Sequence, residues 1–227
     1  MRLFTVFGIR VEIHPSFWLL PGAMALWIGL EAGPLAGLRM FTLVLCIFLC
    51  VLGHEFTHSL RARSLGIQVP VITLYPMGGV ACMEHIPREP WRELSIAFVG
   101  PLFNFVLAAL SYFPLHSLLG ADLFSPGLET WPRTVANLFW ANIVLGVFNL
   151  IPAFPMDGGR MLRSFLALKL KYLWATRIAV FFGRIFAILF LILGVLQHRW
   201  MLVLVGVYVF FAASKEMRQA VGEHERA

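Results

Sequence analysis

His54-Glu55-Phe56-Thr57-His58 is the stretch of this sequence best suited to chemistry. On a helix, residues four apart lie one turn apart on the same face, so the imidazoles of His54 and His58 can hold one divalent ion between them. Zn²⁺ accepts imidazole nitrogens at about 2.0–2.1 Å, and a glutamate beside the first histidine can act on water at the ion. With this histidine and glutamate content, the pattern is expected by chance in roughly one chain of this kind in a hundred. Its flanks are apolar, and ionisable groups inside an apolar helix are costly unless used. The plainer alternative is a helix-end cluster paired with its neighbours.

An ion that keeps one position open needs a third protein ligand. Six residues past the motif, where a third histidine would complete the set on the same stretch, stands Ser64. Cys50 precedes His54 by one turn, but Cys50, His54 and His58 together cover about 12 Å of helix rise, too far for one ion. Cys46 and Cys50 read as small core residues. The third ligand must come from another segment. Asn149-Leu150-Ile151-Pro152-Ala153-Phe154-Pro155-Met156-Asp157-Gly158-Gly159-Arg160 offers one, since Asp157 is the only acid in that part of the chain. Pro152 and Pro155 break a helix, and Gly158-Gly159 permit sharp turns. Broken backbone at membrane depth is tolerated where protein covers it or where it lines a wet cavity. The alternative for Asp157 is a cap on the helix that follows.

The elements that must carry these residues are apolar. Apolar residues make up 59% of the 227 and charged residues 13%, with a net charge of +6. Disorder is excluded by the hydrophobicity, and so few charges could not cover the surface of a soluble globule. Six apolar segments are expected to be transmembrane helices, at about 16–32, 40–60, 94–115, 134–152, 173–196 and 200–214. The last is short and must run past Ser214 or sit in a thinned bilayer. With six spans, fourteen Lys and Arg, Arg226 among them, fall on one side. Only Arg39, Arg133 and Arg199 fall on the other. Both termini are therefore expected in the cytoplasm. Arg184, inside the fifth segment, reads as a snorkelling or bundle-facing arginine. The basic residues are scattered, with no cluster that would bind nucleic acid, and no cleavable signal peptide is expected.

Two stretches alternate as strands do: Leu3 to Ile13, and Pro70 to Cys82 with Gly78-Gly79 as its turn. The fold class expected is an all-α polytopic membrane protein. It is a bundle of about six transmembrane helices with small β elements at the N-terminus and between the second and third spans. Residues 1–227 are expected to form a single domain with a catalytic core at about 40–160.

HEFTH in one segment and NLIPAFPMDGG at the end of a later one resemble the site-2 protease family of intramembrane zinc metalloproteases. Gly100-Pro101-Leu102-Phe103-Asn104 is similar to that family's G-P-x-x-N. The three motifs stand in the family's order, with Met156 where leucine is more usual. The resemblance covers at least Leu43 to Arg160. It is to the short prokaryotic type, with neither a PDZ insert nor a cystathionine-synthase-like domain expected.

The resemblance implies one Zn²⁺ held by His54, His58 and Asp157, with Glu55 as the catalytic base. Asn104 and Asn142 are candidates to polarise the scissile carbonyl or hold the substrate backbone, and each could equally satisfy a neighbouring broken helix. Gly78 and Gly79 are candidates to let a substrate backbone approach. The reaction implied is hydrolysis of transmembrane segments of membrane-spanning proteins within the bilayer, with the site towards the cytoplasmic side. A membrane zinc transporter or metal-binding protein is the alternative, though it has no reason to place Glu55 beside His54. A catalytically inactive relative acting as scaffold is the other.

Overall fold

The computed structural model describes residues 1–84 and 87–225. Arg226, counted above among the basic residues, lies outside them. Among the described residues there are seven α-helices and four strands: β1 (Arg2–Val6), β2 (Ile9–Ile13), α1 (Leu19–Ala32), α2 (Pro34–Ser64), β3 (Val71–Tyr75), β4 (Gly78–Cys82), α3 (Pro90–Leu119), α4 (Trp131–Asn149), α5 (Asp157–Ala167), α6 (Tyr172–Leu196) and α7 (Trp200–Glu225). A helix stands at each of the six apolar segments. Those that include α2, α3, α6 and α7 are long and apolar enough to cross a membrane by length and composition. α1 has 14 residues, about 21 Å at 1.5 Å each. α7 continues past Ser214 to Glu225, the first of the two alternatives that the short sixth segment left open.

The chain divides into two compact units, one of residues 1–85 and 99–146, the other of residues 86–98 and 147–227. In the first unit, the two strand-like stretches join in one sheet of order β1-β2-β3-β4. β1–β2 and β3–β4 are antiparallel hairpins, and β2 pairs with β3 in parallel. β2 shows the alternation of a half-buried strand: Ile9, Val11 and Ile13 are buried, and Arg10 is exposed. Those three pack with Ile72 and Leu74 of β3, and with Val44, Phe48 and Leu52 of α2. The α2 residues are four apart, so a single helical stripe carries the sheet. The next position of that stripe is Phe56, inside the HEFTH motif, so the histidines lie on a different face of α2.

The β3–β4 turn differs from the expectation. Gly78 and Gly79 are strand residues paired with Tyr75 and Leu74, and the turn is Pro76-Met77. Proline presets the φ that a turn needs, and Gly78, at φ 135°, takes up the backbone angle that side chains disfavour.

In the second unit, Leu150 to Met156 follows the end of α4 and folds irregularly before α5. Its core joins Ala153 and Met156 with Ala187 of α6 and Val209 of α7. A second cluster joins Phe154 with Ala179 and Val180 of α6 and Ala213 of α7. Small residues on both helices let this broken segment seat between them. Arg184 is exposed on α6 and reaches Ser214 Oγ of α7 at 3.4 Å.

Candidate metal centre

His54 and His58 are both buried, with their rings against the backbone of α3 at Gly100. Their Nε2 atoms are 3.0 Å apart. Two nitrogens at about 2.0–2.1 Å from a shared tetrahedral ion would be roughly 3.3 Å apart, so the pair is nearly at ligand spacing.

Gly100 shows why the third motif begins with glycine. A Cβ there would lie 2.6 Å from His54 Nε2 and overlap Nε2 of His58. One turn on, Asn104 Oδ1 lies 2.6 Å from His54 Nδ1. A carbonyl oxygen only accepts, so Nδ1 carries the proton and Nε2 keeps its lone pair for a metal. Asn104 Nδ2 donates to Asn142 Oδ1 at 2.9 Å. Asn142 Nδ2 donates to the Leu138 carbonyl at 2.8 Å, with Cys50 Sγ at 3.3 Å. Both asparagines are buried. Asn104 therefore meets His54, and Asn142 meets Asn104. Cys50 ends this chain of contacts, a link its apolar setting did not reveal.

Glu55 lies beside the sheet. A Cβ on Gly79 would come within 2.6 Å of Glu55 Cγ, so the bare backbone of β4 is what makes room for that side chain. β4 is an end strand of the sheet. Gly78 has nothing within 4 Å of where its Cβ would be.

Asp157, in the second unit, is the first residue of α5 and is buried. The cap position belongs to Met156, whose side chain makes no capping bond. The glycines after it serve close approach rather than a turn. A Cβ on Gly158 would overlap the carbonyls of Leu150 and Ile151, and one on Gly159 would come within 2.5 Å of Ala153 C and Phe154 N. The broken segment thus lies directly on the first turn of α5, and no side chain fits between them.

A buried ion cluster, unforeseen in the sequence, holds this assembly. Arg163 is 1% exposed. Its Nε donates to Glu93 Oε1 at 3.0 Å and its Nη1 to Glu216 Oε1 at 2.7 Å, while its Nη2 also meets Glu93. The guanidinium is stacked between Phe154, 4.8 Å from the ring centre, and Tyr172, at 4.9 Å. Burial, the largest single influence, would lower the Arg163 pKa, but Glu93, Tyr172 and Glu216 together outweigh it and the net shift is upward. Arg163 therefore links the broken segment, α5, α6, α7 and the first turn of α3. Only the convergence of these charges distinguishes them.

The sequence comparisons agree with these motifs. The model of peptidase family M50 matches residues 42–135 and 127–193. The chain belongs to this family, that of the site-2 proteases. It is 38% identical over 220 residues to a zinc metalloprotease of Methanocaldococcus jannaschii, covering 96% of this chain and 60% of the relative. It is 26% identical over 178 residues to stage IV sporulation protein FB of Bacillus subtilis, covering 75% of this chain and 52% of that protein. The chain thus spans a little over half the length of these relatives. A solved structure, a site-2 protease from Methanocaldococcus jannaschii, superposes with a TM-score of 0.70 at 36% identity, covering 96% of this chain and 94% of that one. As a member of this zinc metalloprotease family with long apolar helices, the chain is a membrane protein, and its cofactor is one zinc ion. The paired imidazoles, the fixed tautomer and the cradle at Gly100 fit that ion.

Proposed function

We propose that the chain is an intramembrane zinc endopeptidase that hydrolyses peptide bonds in transmembrane segments of membrane-spanning proteins. The observation that carries this reading is Glu55, between two histidines at ligand spacing and against the open strand β4. A transporter or storage site has no need of such a carboxylate.

His54, His58 and Asp157 would hold the zinc, each offering one ligand atom. Bound there, zinc supplies Lewis acidity and makes water a stronger acid. Glu55 accepts the proton from water and later delivers it to the leaving nitrogen. Asn104 and Asn142 act through His54 by holding its tautomer. Gly78 and Gly79 leave the β4 backbone open to an extended substrate. A helical carbonyl is already hydrogen-bonded, so a substrate helix must unwind before it is cut, and strand addition to β4 satisfies the polar groups this exposes.

We read residues 1–227 as one multi-pass protease domain with cytoplasmic termini and its site towards the cytoplasmic side. The uneven distribution of Lys and Arg supports that orientation. The test is incubation of the purified protein with model transmembrane substrates, with and without a zinc chelator. Cleavage that the chelator stops and zinc restores is expected. Zinc binding without cleavage of any such substrate would leave the metal-binding alternative.

A further inference from the structure

A cavity of about 510 Å³ opens between the β1–β2 hairpin and the end of α2, away from the histidine pair. Arg2, Thr5, Gly8, Arg10, Arg63 and Pro70 are among its walls, and among the described residues no acidic one lines it. We propose that this cavity is a binding site for a phosphate-bearing anion, and that the headgroup of an anionic phospholipid is the form it takes.

The walls are built rather than incidental. Arg10 N donates to the Pro70 carbonyl at 3.0 Å, tying β2 to the segment that follows α2. Arg2 Nη2 donates to Thr5 Oγ1 at 2.8 Å. Gly8, at φ 72°, forms the hairpin tip, and a Cβ there would meet Arg63 Nη1 at 3.4 Å, so that guanidinium lies over the turn. Among the described residues, none of these three arginines has a carboxylate within the 4.0 Å of an ion pair. Three positive charges lining one space repel one another until an anion enters. Arginine is the side chain that takes phosphate oxygens two at a time.

The surroundings favour lipid over a free ion. Leu3, Phe4, Val6 and Phe7 of the hairpin are all exposed, Phe7 by 69%. Arg63 lies in the last turn of α2, a membrane-crossing helix. Exposed apolar residues beside arginines at the end of a span are what an interfacial anchor presents, and each basic residue near an anionic surface contributes about 1 kcal/mol.

The full chain would be placed in neutral phosphatidylcholine nanodiscs with graded phosphatidylglycerol, and bound lipid counted by native mass spectrometry. Inorganic phosphate in detergent forms a second arm. The wild type is expected to retain phosphatidylglycerol over phosphatidylcholine. Arg10→Gln/Arg63→Gln should lose that preference at least ten-fold, with zinc content unchanged as the check on folding. Arg10→Lys/Arg63→Lys, which keeps charge but not the planar fork, should fall between. Phosphate binding with the same arginine dependence, and no lipid preference, would support the anion site with a soluble occupant. The proposal is overturned if neither probe binds. It is equally overturned if Arg177→Gln/Arg218→Gln, a charge-matched change outside the cavity, reduces binding as much.

Discussion

His54 donates its Nδ1 proton to Asn104 Oδ1 across 2.6 Å, and this bond decides which nitrogen faces the metal. Removing the acceptor frees the imidazole to rotate or change tautomer. Asn104→Ala is therefore expected to lower zinc affinity by about 10–100-fold, the usual effect of losing a residue that orients a ligand. Competition with a calibrated chelator measures it. Unchanged affinity would show that Asn104 serves packing alone.

Glu55 lies on the ligand helix but is assigned to water rather than metal. Glu55→Gln should retain zinc and lose cleavage by about 10²–10⁴-fold, the range for loss of a general base. Metal analysis beside a cleavage assay reads both. A mutant that still cleaves would remove the proposed mechanism.

The ligand assignment has its own check. His54→Ala, His58→Ala and Asp157→Ala should each lower zinc content, and chelation should abolish cleavage until zinc returns. Asp157 at the first position of α5 also sits well with the helix dipole, worth about 0.3–1 kcal/mol. Full zinc occupancy in Asp157→Ala would therefore assign it to helix stability instead.

Arg163 and its partners predict stability rather than chemistry. Breaking one side of a buried ion pair costs about 3–5 kcal/mol because the other charge remains unpaired. Glu93 is 1% exposed, so Arg163→Met leaves it only the longer contact with Arg160 Nε at 3.9 Å. That variant should unfold well below the wild type in thermal melts. Adding Glu93→Gln should recover part of the loss, because it removes the stranded charge. Equal melts in wild type and Arg163→Met would show the cluster to be dispensable.

The parts of the fold legible in the sequence are those set by local pattern. Apolar runs gave the helices, alternation gave the strands, and the i, i+4 histidines gave the metal pair. What stayed hidden depends on which segments meet. The β2–β3 pairing joins stretches some 60 residues apart, and no local signal states that they share a sheet. The glycines at 158 and 159 read as turn formers, yet the approach of residues 150–154 is their reason. Asn104 and Asn142 stood out as polar residues in apolar helices, but no local signal shows that Asn104 meets His54 and Asn142 meets Asn104.

β4 carries the last prediction. β3 is paired on both sides, so proline at Ile72, Thr73 or Leu74 would damage the sheet rather than test a substrate edge. The open edge belongs to β4. Tyr75 and Gly78 flank the two-residue turn. With that pair hydrogen-bonded, alternation along an antiparallel ladder turns the N–H groups of Gly79 and Ala81 outward. Ala81→Pro removes an outward donor and leaves the β3–β4 bonds in place. Val80→Pro breaks the ladder itself. If a substrate adds as a strand, Ala81→Pro should slow cleavage at least ten-fold with zinc content and melting temperature kept. Gly79→Ala should also slow it, by pushing Glu55 aside. Cysteines placed along β4 should crosslink to substrate residues flanking the cut. Normal cleavage by Ala81→Pro, with crosslinks to the helices but none to β4, would show that the strand only anchors its loop.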